Sequence, residues 1–214
     1  MNMKNPSANK FGNKLEIKRD NKPENKRDNK SDRKPGVAAP YELQDFYNHA
    51  LFFAAEAHGN QLYGGSPYIL HVCMVADEIF AAHQKEPFSN IENAVQIALL
   101  HDVLEDTHIT ENEMLQHFSS DVVSGVKLLT KHKGQPLRDY LSGIKKGDAD
   151  VSKIKMCDRI INLQRVPSHW NADKILEYDE ESLLILERLG ESSRYISQRL
   201  KLKIELYEEM FMVK

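Results

Sequence analysis

The stretch Ile91–Thr107 reads IENAVQIALLHDVLEDT, a long apolar run that changes abruptly to histidine and acidic residues. Apolar residues on most faces of a 3.6-residue period predict a helix buried at the centre of a helical domain, from Ile91 to about Leu104. Charged groups at the end of such a helix are costly to bury unless they are paired or bind a metal ion. The stretch therefore predicts both the core of the fold and a polar site beside it.

Helical spacing of apolar residues continues on both sides of this stretch. Thr110 and Glu113 have the spacing of a capping box, which predicts the start of a short helix. Gly59–Ser66 is rich in glycine and predicts a loop, after which Pro67 suits the first turn of a helix to about Ala82. Further helices are predicted at 41–54, 121–131, 136–145, 149–164, 172–189 and 192–212. No segment alternates in the manner of a strand, so we predict an all-α fold.

Charge divides the chain near residue 40. Residues 1–39 carry eleven Lys or Arg and five Asp or Glu, a net charge of +6, whereas the remainder has a net charge of −9. The first part has few apolar residues to offset the cost of ordering, so we predict a disordered basic low-complexity tail at 1–39 and one folded domain at 40–214. The tail either docks on RNA or another acidic surface or is a solvated extension. The acidic body argues against broad nucleic-acid binding by the folded part.

Composition also bears on the compartment. No apolar run approaches the roughly 18 residues that a membrane span needs, and the N-terminus lacks the apolar core of a secretory signal. Cys73 and Cys157 lie outside any recognisable metal-binding spacing, which predicts two buried, reduced thiols. We therefore expect a cytoplasmic protein without a membrane partner, and the sequence predicts no particular oligomeric state.

The segment HDVLEDT, His101–Thr107, concentrates polar side chains at the end of the buried helix. Residues four apart are neighbours on one helical face, so His101 is expected beside Glu105, and Asp102 beside Asp106. One turn would then present an imidazole and three carboxylates together. The alternative is a helix end that simply meets solvent.

Two more polar sites lie within apolar helical segments, and each has a simple alternative. Asp158 and Asn162 are four apart in IKMCDRIINL, where Asp158 could instead form a surface contact with Arg159. His71 lies in PYILHV, where a core histidine with satisfied hydrogen bonds is the alternative. Neither residue indicates a metal site on its own.

Together, His71, the pair His101–Asp102 and Asp158 follow the order H…HD…D, which resembles the ligand arrangement of the HD superfamily of phosphohydrolases. Two imidazoles and two carboxylates suit a divalent transition metal such as Mn, Fe, Co or Zn. Such an ion polarises a phosphoryl oxygen and lowers the pKa of bound water toward neutrality. The resemblance implies an HD-domain helical bundle.

Longer segments resemble one branch of that superfamily, the hydrolase domain of RelA/SpoT-type (p)ppGpp enzymes and the stand-alone small alarmone hydrolases. The segments are HGNQLYGGSPYILHVCMVADEI (58–79), AVQIALLHDVLEDTHIT (94–110), KIKMCDRIINL (153–163) and SHWNADKILEY (168–178). The resemblance covers about Leu51–Leu186. It implies hydrolysis of (p)ppGpp, a small nucleotide, with release of pyrophosphate from its 3′ position and with Mn(II) as the metal.

The resemblance also assigns roles to particular residues. It implies the metal ligands His71, His101, Asp102 and Asp158. It implies that Glu105 and Asp106 position or deprotonate the attacking water. It implies a nucleotide contact at Asn162 and a phosphate contact at Lys174, where the family segment with Trp often has a basic residue.

The loop before PYI departs from the family pattern. Family members usually carry basic residues there that stack on guanine or meet phosphate, but no Arg or Lys occurs between His58 and His71. Tyr63 offers an aromatic ring for base stacking instead, or it simply covers the core. Other cations could supply charge to the cleft, most of them expected on the solvated surface: Lys131, Lys133, Arg138, Lys153, Lys155 and Arg159.

Three functions remain open from the sequence. The first is a metal-dependent (p)ppGpp 3′-pyrophosphohydrolase. The second is an HD-domain hydrolase of another nucleotide or phosphate ester, which the altered loop favours. The third is a non-enzymatic nucleotide or metal sensor, against which the intact ligand set and the Glu105–Asp106 pair count.

Overall fold

The structure is a computed structural model that describes residues 41–211, and these residues form helices and one very short hairpin. The predicted tail and residues 212–214 lie outside the described residues. The elements are α1 Leu43–His58, β1 Leu62–Tyr63, β2 Ser66–Pro67, α2 Ile69–His83, α3 Ile91–Leu100, α4 Val103–Asp106, α5 Glu111–Met114, α6 Ser120–Leu129, α7 Leu137–Lys146, α8 Ala149–Asn162, α9 Ala172–Leu189, a 3-10 turn Gly190–Ser192 and α10 Arg194–Phe211. The predicted helical fold is confirmed.

Helix α3 lies at the centre of the described body. Every residue from Ala94 to Leu100 is buried, and the helix packs against α1, α2, α6 and α8. Apolar residues on all of its faces make this position favourable, because burying a side chain such as Leu99 stabilises the fold by about 1.5–3 kcal/mol. The prediction that this segment is a buried helix is confirmed.

Helix α8 is the second buried element and packs against α2, α3 and α10. It begins at the N-cap Asp148, whose carboxylate accepts a hydrogen bond from the backbone N–H of Asp150 at 2.8 Å. Since α2 also packs against α3, these three helices enclose one region. The polar residues that interrupt their apolar sequences are thereby brought together.

The loop before α2 contains a hairpin that the sequence did not predict. Strands β1 and β2 pair antiparallel, with Leu62 opposite Pro67, and the turn between them is Gly64–Gly65. Both glycines have positive φ angles, 56° and 82°, which suit a two-residue turn of type I′. The prediction that Pro67 opens a helix was wrong: it lies in β2, and α2 begins at Ile69.

The prediction of one continuous helix to Leu104 was also wrong, because α3 ends at Leu100. In a continued helix the carbonyl of Ala98 would accept from the backbone N–H of residue 102. Here that carbonyl accepts a hydrogen bond from the ring Nδ1 of His101 at 2.8 Å. A new short helix, α4, then starts after Asp102, whose carbonyl accepts from the N–H of Asp106 at 2.8 Å.

Other local predictions can be compared directly with the structure. The capping box at Thr110 and Glu113 is confirmed, although the helix that it opens is only one turn long. Both cysteines are free thiols, but only Cys157 is buried, so the prediction of two buried thiols was wrong for Cys73. Among the described helices, none combines the length and apolar character that membrane crossing requires.

Candidate metal centre and its cavity

Four side chains, from α2, α8 and the break between α3 and α4, converge where α2, α3 and α8 meet. The Nε2 atom of His71, on α2, lies 3.3 Å from Oδ1 of Asp158, on α8. The Nε2 atom of His101 lies 3.0 Å from Oδ2 of Asp102 and 3.5 Å from Oδ1 of Asp158. Both imidazoles are 2% exposed and Asp158 is 4% exposed. Ligand atoms of His71, His101 and Asp102 all lie within 4.8 Å of one another.

The orientation of His101 fits a bound cation. A carbonyl oxygen can only accept a hydrogen bond, so the contact with Ala98 requires the proton on Nδ1. The buried Nε2 atom is turned toward two carboxylates, 3.0 Å from Oδ2 of Asp102 and 3.5 Å from Oδ1 of Asp158. Burial disfavours the imidazolium, but Asp102 and Asp158 outweigh this effect and raise the pKa of His101 well above its ordinary value. The site therefore favours a positive charge between these groups.

The two carboxylates are ionised despite their burial. Burial opposes ionisation of Asp102, but His101 and the hydroxyl of Tyr68 outweigh it and lower the pKa of Asp102 to about 2. Burial likewise opposes ionisation of Asp158, but Lys155 and the two imidazoles hold its pKa well below the usual range. Two anionic oxygen donors and two imidazoles form a donor set that a divalent transition metal accepts.

Three neighbouring side chains hold the carboxylates in place. The hydroxyl of Tyr68 donates a hydrogen bond to Asp102. The amide Nδ2 of Asn162 donates to Oδ1 of Asp158 at 2.7 Å, and the ammonium of Lys155 lies 2.9 Å from Oδ2 of Asp158. Partners of this kind fix the orientation of groups that bind metals.

The structure joins Tyr63 and Asn162, which the sequence analysis considered separately. The Tyr63 hydroxyl donates to Oδ1 of Asn162 at 2.7 Å, so both ends of the Asn162 amide have a partner. The ring of Tyr63 lies with its centroid 5.2 Å from that of His71. A chain of contacts therefore links the hairpin to Asp158 through Asn162.

Glu105 and Asp106 lie on α4, and both are exposed at the residue level. Oε2 of Glu105 accepts from the backbone N–H of Lys131 at 2.8 Å, and Oδ2 of Asp106 accepts from the side chain of Gln61 at 3.0 Å. Because α3 ends at Leu100, His101 and Glu105 do not share one continuous helix. Asp102 and Asp106 do lie on one turn, since the Asp106 N–H donates to the Asp102 carbonyl at 2.8 Å. Burial raises the pKa of Glu105, and the nearby Asp102 adds to this increase. Glu105 is thus a better proton acceptor than an ordinary glutamate.

A cavity of about 290 Å³ lies over these residues, and its wall contains carboxylates, aromatic rings and cations. Three of the six cations that the sequence suggested line it: Lys131, Lys155 and Arg159. The expectation that most of the six are solvated was wrong for Lys153 and Arg159, which are buried, and for Lys155, which is half-buried; each forms a salt bridge with an acidic residue. Lys133 and Arg138 are exposed, as expected.

Lys174 lies in the first turn of α9, near Trp170, which lines this cavity. Its ammonium is 2.8 Å from Oε2 of Glu177 and 5.9 Å from the centre of the Trp170 ring, and its side chain is 42% exposed. Trp170 lines the cavity together with Tyr178. Lys174 therefore lies behind one aromatic wall residue, with its side chain free to reorient.

A second, larger cavity of about 550 Å³ adjoins the first, and Tyr63 and His71 line both. Its other walls include the apolar side chains of Leu70 and Met74 on α2, the carboxylate of Asp77 and the guanidinium of Arg165. Tyr63 therefore separates a polar cavity over the carboxylates from a mixed, larger one.

The sequence analysis did not identify three residues that contact the site. Tyr68 follows Pro67 in an apolar segment and gave no signal, and Gln61 contacts Asp106 only because the hairpin brings it there. Lys155 was considered only as one of several cations. Its spacing, three residues before Asp158 on one helix, is a signal that could have placed it beside that carboxylate.

Comparisons with known proteins agree with this geometry, although no family model matches the chain. The guanosine-3′,5′-bis(diphosphate) 3′-pyrophosphohydrolase MESH1 of Danio rerio is 30% identical over 160 residues, which are 70% of this chain and 87% of that protein. MESH1 of Mus musculus is 29% identical over 170 residues, 73% of this chain and 90% of the relative.

Two further similarities extend the comparison. The GTP pyrophosphokinase rsh of Brucella ovis is 32% identical over 155 residues, which are 67% of this chain but only 20% of that longer protein. The solved structure of a metazoan ortholog of SpoT that hydrolyses ppGpp superimposes with a TM-score of 0.65 at 22% identity, covering 81% of this chain and 98% of the other. At that identity the match shows a shared fold. The identity and coverage of the Danio rerio relative show the family as well as the fold. This chain therefore belongs to the MESH1 family of RelA/SpoT-type guanosine-3′,5′-bis(diphosphate) 3′-pyrophosphohydrolases.

Proposed function

We propose that this protein is a metal-dependent phosphohydrolase that removes pyrophosphate from the 3′ position of guanosine 3′,5′-bis(diphosphate) and its pentaphosphate form. The observation that carries the proposal is the convergence of His71, His101, Asp102 and Asp158, with the buried Nε2 of His101 facing both carboxylates. The relatives named as 3′-pyrophosphohydrolases support the choice of substrate.

We propose these four residues as the metal ligands and Mn(II) as the bound ion. Mixed nitrogen and oxygen donors accept Mn(II), and the net negative charge of the two carboxylates favours any divalent cation. A bound ion of this kind would polarise a phosphoryl oxygen and lower the pKa of a bound water. The fixed tautomer of His101 and the anchored carboxylates prepare the protein side of that site.

Glu105 and Asp106 are proposed to orient the attacking water and take its proton. Their carboxylates line the same cavity as Asp102 and Asp158. The raised pKa of Glu105 makes it a stronger base than an ordinary glutamate, as a general base requires. Gln61 and the backbone of Lys131 each hold one oxygen of the pair, which leaves the other oxygens for the water.

Substrate contacts are proposed at Tyr63, Asn162 and Lys174. Tyr63 offers its ring to the nucleotide base at the boundary of the two cavities. Asn162 lies beside the metal site, where an exchange of its Tyr63 contact would let it bind the nucleotide. Lys174 is proposed to bind phosphate after leaving Glu177, because both partners of that ion pair are exposed and it contributes little.

The test is pyrophosphate release from ppGpp by the purified full chain with added Mn(II), compared with a chelator-treated sample. We expect release only with metal, and none from the Asp102→Ala variant. Absence of release above the metal-free sample would reject ppGpp as the substrate. Turnover that persists in Asp102→Ala would reject the assigned metal site.

A second candidate keeps the chemistry but changes the substrate to another nucleotide or phosphate ester. The observation that favours it is the hairpin, where Tyr63 stands in a loop without Arg or Lys and its hydroxyl is directed at Asn162. A cation that binds phosphate there would be missing. A panel of nucleotides assayed with Mn(II) decides the question, since this candidate requires a compound that is hydrolysed faster than ppGpp.

We also propose that residues 40–214 form one HD domain that acts on a small nucleotide in the cytoplasm. Support for the compartment comes from Cys73 and Cys157, which are free thiols, the form that a reducing compartment maintains. A small-molecule partner is supported by the size of the adjoining cavities, about 290 and 550 Å³.

A further inference from the structure

The two oxygens of Asp158 are held by different partners. Oδ1 lies 3.3 Å from Nε2 of His71 and 3.5 Å from Nε2 of His101. Oδ2 is on the other side of the carboxylate, 2.9 Å from the ammonium of Lys155. Asp158 therefore presents one oxygen to the imidazoles, and the second is occupied by a cation of the same helix.

The position of Lys155 is itself well fixed. It lies three residues before Asp158 on α8, its side chain is 17% exposed, and its ammonium is 5.7 Å from the centre of the Tyr140 ring. The hydroxyl of Tyr140 donates to the carbonyl of Leu129 at 2.5 Å, so that ring is also held. Lys155 lines the cavity over the metal ligands, where its charge is only partly screened by water.

We propose that Lys155 is a positioning residue of the metal centre, whose ammonium holds Oδ2 of Asp158 and restricts that residue to offering one oxygen to the site. The proposal rests on the proposed function only in requiring that the four ligands bind a divalent cation. Under this proposal Lys155 weakens metal binding, because its fixed positive charge lies next to the bound cation. In return, the second oxygen of Asp158 stays out of the space that water and substrate phosphate require.

Removing the ammonium has two consequences, and both strengthen metal binding. Asp158 becomes a buried carboxylate without its cation, which destabilises the metal-free protein and makes a bound metal more favourable. The side chain also becomes free to rotate and to offer both oxygens. Metal binding therefore becomes tighter while turnover falls, a combination that a merely structural lysine does not produce.

The experiment uses the full chain stripped of metal with a chelator and titrated with Mn(II) by calorimetry. For Lys155→Met, we expect the Mn(II) dissociation constant to fall about 3- to 10-fold, with kcat on ppGpp falling about 10-fold or more. Lys155→Arg retains the charge and should remain near wild type in both measurements. If Lys155→Met does not fold, Lys155→Gln is titrated in its place, because it also removes the charge but keeps a hydrogen-bond donor.

Lys153 provides a matched control on the same helix. It is a buried lysine whose ammonium lies 2.9 Å from Oδ1 of Asp150 and 4.7 Å from the centre of the Phe88 ring, away from the metal ligands. Lys153→Met should destabilise the fold and leave the Mn(II) dissociation constant unchanged. An equal tightening in Lys153→Met would overturn the proposal.

Two other outcomes also overturn it. Weaker or unchanged Mn(II) binding in Lys155→Met would show that the ammonium does not restrain Asp158. A raised KM for ppGpp with unchanged Mn(II) binding would show instead that Lys155 contacts the substrate. The calorimetric measurement contains no nucleotide, so failure of ppGpp as the substrate leaves the metal-binding half of this test intact.

Discussion

The Nδ1 atom of His101 lies 2.8 Å from the backbone carbonyl of Ala98, one helical turn earlier in α3. This contact fixes the tautomer, because a carbonyl oxygen requires the proton on Nδ1. It also turns the Nε2 atom toward Asp102 and Asp158. The hydrogen bond at the end of the central helix is thus the one that orients His101 toward the two carboxylates.

Replacing His101 should abolish stabilisation by metal. At an Mn(II) concentration 100 times the dissociation constant, the wild-type protein should gain about 2.7 kcal/mol in its free energy of unfolding. His101→Ala should gain none, and its turnover should be lost. Denaturant unfolding with and without Mn(II) measures the gain. His108→Ala, at an exposed neighbouring position, should retain all of it, and a full gain in His101→Ala would contradict the ligand assignment.

Replacing Glu105 should affect chemistry without affecting metal binding. Glu105→Gln keeps the acceptor for the N–H of Lys131 but cannot take a proton, so kcat should fall about 10²- to 10⁴-fold. Steady-state kinetics and Mn(II) calorimetry together check this separation. Glu111→Gln, which breaks only an exposed pair with Lys127, serves as the control and should leave kcat unchanged. A kcat within about threefold of wild type for Glu105→Gln would exclude it as the base.

Two substitutions at Tyr63 distinguish its ring from its hydroxyl. Tyr63→Ala removes the stacking surface, which is worth about 1–3 kcal/mol per base, so KM for ppGpp should rise about 10-fold or more. Tyr63→Phe keeps the ring and removes only the donor to Asn162, so its KM should remain close to wild type. Equal KM values for wild type and Tyr63→Ala would mean that the ring only covers the core.

Lys174→Ala should weaken substrate binding if this side chain leaves Glu177 to bind phosphate. A charge-assisted hydrogen bond contributes about 1.5–3 kcal/mol, and partial exposure reduces that value, so KM should rise about 10-fold with little change in kcat. Lys201→Ala is the control, because Lys201 is an exposed lysine on α10 that pairs only loosely with Glu205, at 3.9 Å. An unchanged KM in Lys174→Ala would remove it from the substrate contacts.

The stability of the fold should depend on pH through Asp179 on α9. This side chain is 4% exposed, and its Oδ1 has no hydrogen-bond partner among the described residues. Burial raises its pKa, and the carboxylates of Glu208 and Glu180 add to the increase, with the phenol of Tyr207 nearby. A folded pKa above the unfolded value gives stability at low pH that is lost as the pH rises through the folded pKa.

Asp179→Asn should therefore raise the unfolding temperature at pH 7, by roughly 2–4 °C, and the difference should shrink toward pH 4. Thermal unfolding followed by circular dichroism over this pH range measures the effect. Glu187→Gln, at an exposed position of the same helix, should show no such pH-dependent gain. A variant less stable than wild type at pH 7 would contradict the assigned sign.

The sequence by itself determined the central helix and the identity of the residues that gather beside it. Apolar residues on all faces of α3 require burial wherever the helix packs, and the capping box at Thr110 is a local interaction. The order of His71, His101–Asp102 and Asp158 is likewise present in the sequence, where its resemblance to the HD superfamily implied a ligand set. Such features can be predicted because neighbours in sequence decide them.

Tertiary structure decided how these residues are held. The end of α3 depends on the rotation of one imidazole onto the Ala98 carbonyl, and the hairpin matters because Tyr63 reaches Asn162, 99 residues away. Even Lys155, whose spacing from Asp158 is local, is half-buried only because the chain packs around α8. Hydrogen bonds between distant segments and the burial of charge exist only after the helices have packed, so sequence periodicity contains no record of them.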